Sequence, residues 1–164
     1  MPVISGGGGA GPVLAATVTL TDAEIKALPT TGSVDPFGFP IVAGIAGSLL
    51  VPIAFSFALR GFYTNLDAAM AMQVAYSGFD GLPVSATISR ELFVSGNEGV
   101  VSPVTYWQNL TADHFPATGA GTPLTDLDGA GLILWVGNGA AGDFTGGDPA
   151  NTLKVSTVYA AVPL

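Results

Sequence analysis

Large apolar side chains occupy every second position between Ile53 and Leu59, and small or polar residues stand between them. This period of two is typical of a β-strand with two unlike faces. The segment belongs to a longer run without charge, Ile41–Leu59, which is long enough for a membrane helix. The alternation and the interruptions at Pro40 and Pro52 favour strands instead. The pattern predicts a short strand at Ile41–Val42, a turn at Ala43–Ser48 and a long strand at Leu49–Leu59.

Other short segments also have strand character, and loops rich in Gly, Asp and Asn separate them. About eight short strands, with no long helices between them, predict an all-β fold and disfavour a parallel α/β sheet. The pattern leaves open an antiparallel β-sandwich of two sheets or a barrel. Ile88–Val94 fits either a helical turn or a strand. The further predicted strands are Val13–Leu20, Ala69–Tyr76, Val84–Ser89, Val104–Leu110, Gly131–Val136 and Leu153–Val162.

One short helix is predicted near the N-terminus. Thr21 can cap it, Glu24 completes a capping box three residues later, and Pro29 is expected to end it. Residues 1–12 are rich in glycine and lack the basic and apolar regions of a secretory signal. We therefore expect a flexible N-terminal arm, 1–12, followed by a single β-sandwich domain, 13–164.

Charge is scarce along the chain. Its 164 residues include four Lys or Arg, twelve Asp or Glu and no cysteine. Four scattered cations argue against nucleic-acid binding, which needs clustered Lys and Arg. A surface with so few charges is largely neutral or apolar, and soluble monomers rarely expose large apolar patches. The composition therefore favours a permanent assembly, and the alternative is a monomer with a Ser, Thr, Gly and Ala surface.

Small residues that alternate with large ones indicate where an assembly could be made. Outward positions of a sandwich facing water are usually polar or charged, but in two predicted strands they are mostly Ala and Ser. We hypothesise that neighbouring subunits cover these positions; the alternative is small surface residues on a sheet edge. Gly131–Val136 is apolar on both faces, so we expect it to be central or covered on both sides. The predicted interface residues are Ala54, Ser56, Ala58, Ala69, Ala71, Gln73, Ala75 and Trp135.

No residue pattern indicates an enzyme. His114 is the only histidine, and no G-x-S-x-G nucleophile elbow accompanies it. Asp126 and Asp128 could form a carboxylate pair for glycoside hydrolysis or bind calcium, although a polar turn explains them better. Asp143 and Asp148 could bind a hard cation, but a Gly/Asp turn is again the stronger interpretation. The glycine run near the N-terminus lacks the lysine of a phosphate loop. We therefore expect no catalytic, cofactor-binding or metal-binding residue.

Two adjacent aromatic residues, Tyr106 and Trp107, leave a second function open. Aromatic side chains on a β-sandwich can stack on a sugar ring, as they do in many carbohydrate-binding modules. Successive strand residues face opposite ways, so at most one of the two is exposed. The competing function is a carbohydrate- or receptor-binding module.

Three separated patches of the chain resemble small β-rich virion proteins of tailed bacteriophages. They are LTDAEIKALPTT near the front, YTNLDAAMAMQVAY in the middle and GDFTGGDPANTLKVSTVYAAV towards the end, within residues 17–162. The resemblance implies a jelly-roll-like sandwich, often trimeric, that decorates a capsid as a cement protein or occupies another position in the virion. It also implies that the chain has no catalytic residues.

From this resemblance we expect a structural virion protein that decorates and stabilises a tailed-phage capsid. Its expected partners are further copies of itself, as a trimer, and the major capsid protein or other virion proteins. We expect it on the capsid surface after assembly in the host cytoplasm, without nucleic-acid or membrane contacts. The competing carbohydrate- or receptor-binding module would belong to a phage tail or fibre.

Overall fold

The chain forms seven strands and one helix in the part that the structure describes. The structure is a computed structural model, and it describes residues 12–31, 38–61, 63, 71–78, 104–109, 127–137 and 146–164. The predicted arm, apart from Pro12, and the predicted elements at Val84–Ser89 and Ile88–Val94 lie outside these residues. The elements are β1 Val13–Thr21, α1 Asp22–Thr31, β2 Phe39–Val42, β3 Ser48–Arg60, β4 Ala71–Tyr76, β5 Val104–Asn109, β6 Leu132–Gly137 and β7 Thr152–Pro163.

The described strands form two antiparallel sheets. One sheet has the order β1-β7-β3-β5 and the other has the order β2-β6-β4. The pairing is nested, because the first strand pairs with the last, the second with the next to last, and the third with the third from last. This nested strand order is that of a jelly roll. The all-β, jelly-roll-like sandwich is thus confirmed, since the described strands form two sheets instead of a barrel.

Both sheets bury side chains in one hydrophobic core. Phe55 and Phe57 enter it from the four-stranded sheet, and Leu132 and Leu134 enter it from the three-stranded sheet. Tyr76 also lies in the core, where its hydroxyl donates a hydrogen bond to the carbonyl oxygen of Leu50. Burial raises the pKa of the Tyr76 phenol to about 12. The long alternating strands therefore supply most of the interior, as their pattern predicts.

The strand β6 is central in its sheet, between β2 and β4. Three successive residues, Leu132, Ile133 and Leu134, are all buried. Successive strand residues point to opposite faces, so both faces of β6 are covered. This confirms the expectation for a segment that is apolar on both sides.

The alternation of β3 departs from the prediction at Ile53. The predicted inward set included Ile53, but its side chain is 42% exposed, while Phe55 and Phe57 are buried. The register with β7 shifts between Pro52 and Ala54, so Ile53 is the extra residue of a β-bulge. The period of two restarts at Ala54, and only the residues after the bulge follow the predicted faces.

The helix α1 begins with the predicted capping box. The backbone N–H and the hydroxyl of Thr21 both donate to Glu24 Oε2 at 2.8 Å, and the Glu24 N–H donates to Thr21 Oγ1 at 3.4 Å. The predicted end at Pro29 is wrong, because the helix continues to Thr31. A proline in the last turn removes only one helical hydrogen bond, and the final residues can keep their helical backbone.

Polar contacts fix α1 at one end of the sandwich. Lys26 Nζ lies 2.8 Å from Asp22 Oδ2, and the Tyr63 hydroxyl donates to Asp22 Oδ1 at 3.0 Å. Burial, and then the bond to Asp22, raise the pKa of the Tyr63 phenol above its usual range. Ile25 and Leu28 enter the shared core, and the helix contacts β1, β6 and β7. The short helix therefore covers an end of the core that the strands leave open.

Within the described part of the chain, no helix has the length and apolar character needed to cross a membrane. The uncharged run Ile41–Leu59 contains the end of β2, a turn and nearly all of β3. The strand interpretation of this run is therefore confirmed.

Candidate interaction surface

The candidate site is the outward side of the four-stranded sheet. We call it the outer face, and we define it by the residues of β1, β3 and β7 that alternate with more buried, inward ones. Register brings these residues side by side: Ser156 of β7 pairs with Thr17 of β1 and with Ser56 of β3. The outer face consists of Val13, Ala15, Thr17, Thr19, Thr21, Ala54, Ser56, Ala58, Arg60, Thr152, Lys154, Ser156, Val158, Ala160 and Val162.

The outer face is poor in charge and divides into an apolar half and a polar half. Val13, Val158 and Val162 are 66%, 37% and 38% exposed, and all three lie in one half. The only charged members of the outer face are Lys154 and Arg60, which lie in the other half. An outward sheet face in water is normally rich in polar or charged residues. The apolar half instead exposes groups whose removal from water would be favourable.

Small side chains make the middle of the outer face shallow. A groove of about 420 Å³ crosses it, lined by residues of β3 and β7 that include Ala54, Ser56 and Val158. Across the next ladder, the Thr17 hydroxyl donates to Ser156 Oγ at 3.1 Å. Apart from Lys154, the outward side chains that line the groove are small, so another chain could approach the sheet backbone closely there.

Three of the predicted interface residues lie together on this surface. Ala54, Ser56 and Ala58 are half-buried and line the groove. The outer face also contains residues that the sequence did not single out, such as Val158 and Thr17. Their segments carry the same alternating signal, but strand order is needed to place them beside β3. That order joins β1 and β7, from opposite ends of the sequence, and it is not readable from periodicity.

The other predicted interface residues belong to the three-stranded sheet or lie outside the description. Gln73 is half-buried on β4, paired with Trp135 of β6. Ala75 is only 2% exposed, so it is already buried within its own chain, and little of its surface is available to a second subunit. Ala69 lies outside the described residues, as do the side chains of Ala71 and Trp135. The interface itself remains a prediction.

Two of the carboxylates considered above as catalytic or metal-binding groups lie among the described residues, and both accept hydrogen bonds from turn backbone. Asp128 Oδ1 accepts a hydrogen bond from the Gly47 N–H at 2.6 Å, which ties the β2–β3 turn to the segment before β6. Asp148 Oδ1 accepts from the Ala150 N–H at 2.8 Å in the turn before β7. His114, Asp126 and Asp143 lie outside the described residues. In the described ranges, no group of three or more His, Cys, Asp or Glu could hold a metal ion.

Register assigns the two adjacent aromatic positions to opposite faces. Tyr106 pairs with Phe57, which is buried, and Trp107 pairs with Ser56, which lines the groove. Directly paired residues share a face of an antiparallel sheet. Position 107 therefore belongs to the same side of the sheet as the outer face, next to its groove.

Comparison with known proteins gives little similarity. No protein-family model matches the chain, and no curated protein matches it. Among solved structures, the chain is similar to one from the Cyanophage Pam1 capsid asymmetric unit, with a TM-score of 0.35 and 14% sequence identity. The alignment covers 99% of this chain and 94% of that chain. A likeness of this size carries no argument about fold or function, so both rest on the residues described above.

Proposed function

We propose that this chain is a structural protein of a tailed-phage virion, which decorates the capsid and stabilises it through protein–protein contacts. The observation that carries the proposal is the outer face, with its small and apolar residues and its two charged members, Lys154 and Arg60. A face with this composition suits burial against another protein surface better than permanent contact with water.

The small side chains favour a tight contact. Ala54, Ser56 and Ala58 let a second backbone come close, and Val158 and Val162 add apolar area that contact would remove from water. Permanent interfaces are more hydrophobic than transient ones, and they carry few unpaired charges. The outer face therefore suits a contact that forms once, during assembly, and then persists.

Fold and sequence give independent support for a virion protein. Jelly rolls are common in viral capsid and lectin domains. The three sequence patches resemble β-rich virion proteins of tailed phages, which favours a homo-trimer on the capsid surface. Partners that fit are further copies of the chain and the major capsid protein or other virion proteins.

Substitution on the outer face tests this proposal. We expect Val158→Lys to weaken cosedimentation with shells of the major capsid protein from the same virus by at least about tenfold, because it places a charge in an apolar contact. The matched control is Ala150→Lys, in the exposed turn before β7, which should bind like the original chain. Mass spectrometry of purified virions should also detect the chain. Its absence from virions, or equal binding by both variants, would overturn the proposal.

A second function has one structural observation in its favour. Position 107 pairs with Ser56, which lines the groove of the outer face. A tryptophan beside a shallow groove is a common platform for a sugar ring. If the chain is a carbohydrate- or receptor-binding module of a tail or fibre, it should bind on a glycan array and lose that binding in Trp107→Ala.

A further inference from the structure

The strand β1 forms an edge of the four-stranded sheet. All nine of its residues, Val13–Thr21, pair with β7 without a register shift. Among the described strands none pairs with β1 on its second side. An edge strand presents a row of backbone N–H and C=O groups that can pair with another strand. This edge is long, regular and therefore suited to such pairing.

The edge of β1 lacks the features that usually prevent strand pairing. Proteins protect exposed edges with charged residues, proline, bulges or very short strands. The sequence of β1, VLAATVTLT, has neither charge nor proline. The edge strand β2 shows the opposite design, with four residues, Pro40 in its second position and a register shift. One molecule therefore contains a protected edge and an unprotected one.

The inward side of β1 is also incompletely covered. Leu14, Ala16 and Val18 are only half-buried, although they pack against the core. Their ladder partners on β7 include Tyr159 and Val155, which are buried. The inward apolar side chains of β1 thus keep part of their surface exposed at the edge of the sheet. A further strand beside β1 would cover that surface.

We infer that β1 pairs antiparallel with β1 of a second copy, about a two-fold axis that passes through Thr17. This register is the one that overlaps all nine residues, and it keeps inward residues opposite inward ones. It places Ala16 opposite Val18 of the second copy, and Leu14 opposite Leu20, so that apolar side chains face each other across the contact. No charged residue faces another. The product is one continuous eight-stranded sheet.

This contact does not depend on the proposed role in a virion. It uses the edge of the sheet, whereas the proposed capsid contact uses the outer face. A two-fold contact between identical edges is self-complementary, and it is distinct from the three-fold contact of a trimer. Because Thr17 also belongs to the outer face, the comparison of cysteine positions distinguishes the edge contact from a contact through that face.

Introduced cysteines test the register, because the chain has no cysteine of its own. Thr17 is exposed, and Thr17→Cys places two thiols on the two-fold axis. We expect a short bis-maleimide to convert at least half of this variant to a covalent dimer. Ala15→Cys alone should give little dimer, since its two copies would lie about 14 Å apart along the strands. A mixture of Ala15→Cys and Thr19→Cys should cross-link, because this register sets the two positions opposite each other.

A charged residue at the edge supplies the second test. Ala16→Lys, in the Thr17→Cys background, points a charge inward at the pairing edge and should reduce cross-linking at least tenfold. Thr19→Glu in the same background carries its charge on the outer face, opposite Lys154 of β7, and should cross-link normally. Hydrogen exchange of the original chain should show slow exchange for all β1 amides. Fast exchange of alternate β1 amides at high concentration, or equal dimer yield from Thr17→Cys and Ala15→Cys, would overturn the inference.

Discussion

At the scale of single residues, Gly44 lies where two backbone segments touch. A Cβ atom at position 44 would lie 1.7 Å from the carbonyl oxygen of Gly129, and a Cβ at Gly131 would lie 2.5 Å from the carbonyl oxygen of Val42. The Gly47 N–H also donates to Asp128 at this corner, and the Leu164 N–H donates to the Gly47 carbonyl. The absence of two side chains therefore allows the β2–β3 turn to pack against the segment before β6.

We expect Gly44→Ala to destabilise the fold strongly, because backbone atoms rather than a movable side chain occupy the required space. The matched control is Gly78→Ala, where φ is +79° and nothing lies within 4 Å of the added Cβ. That control should lose only the strain of a left-handed backbone, about 1–2 kcal/mol. Urea unfolding measures both variants. Equal losses of unfolding free energy in the two variants would show that the β2–β3 turn can move away from the segment before β6 without cost.

Glu24 makes the free energy of unfolding of the chain depend on pH. Hydrogen bonds from the Thr21 backbone and then from its hydroxyl lower the pKa of Glu24 below its ordinary value of 4.5. A hydrogen bond from Lys26 is the largest of the contacts that lower the pKa of Asp22. Because the folded pKa values of Glu24 and Asp22 lie below their unfolded values, the contacts of the two carboxylates stabilise the fold above about pH 4.5. This stabilisation is lost as the pH falls through the folded values.

We therefore expect the free energy of unfolding to fall between about pH 5 and pH 3, and to fall less steeply in Glu24→Gln. Glutamine can still accept a bond from the Thr21 N–H, but it has no charge to neutralise. Urea titrations at a series of pH values provide the measurement. A variant whose curve runs parallel to that of the original chain would remove Glu24 as a cause.

At the scale of elements, sequence periodicity predicts strands well and their irregularities poorly. The alternation after Ala54 predicts the buried row that contains Phe55 and Phe57, since period two is a local property of the chain. The bulge at Ile53 is invisible locally, because it is defined by a mismatch in length against β7. The helix end was misplaced at Pro29 because the last turn keeps its helical backbone past the proline, to Thr31.

The bulge implies that two deletions in the same strand differ in cost. Removal of Ile53 leaves an unbroken alternation, with Pro52 and Phe55 still inward, so we expect a folded protein with a modest change in stability. Removal of Ser56 keeps Ile53 in the strand and reverses the faces of the two residues that follow it. Ala54 would then point into the core, and Phe55 would point to the outer face. Loss of a buried phenylalanine typically costs about 3–5 kcal/mol. Thermal unfolding should separate the two variants, and equal midpoints would contradict the assignment of the bulge.

At the scale of the whole molecule, the sequence predicts the class of fold but not its strand order. Low charge, short strands and turn-rich loops indicate an all-β sandwich, and the resemblance adds the jelly roll. The outer face was foreseen only in part, through Ala54, Ser56 and Ala58 on β3. Val158 and Thr17 join it because β7 lies between β3 and β1, and no local pattern encodes that arrangement.

The central place of β7 affects how the chain can fold during synthesis. β7 is the last described strand to leave the ribosome, yet it separates β1 from β3 and pairs with both. Until β7 emerges, β1 has no strand partner among the described elements, and its apolar side chains stay exposed to water. Long-range pairing of this kind slows folding and extends the time in which unfinished chains can aggregate. Premature termination before Thr152 would therefore separate β1 from the β3–β5 pair instead of shortening the sheet by an edge strand.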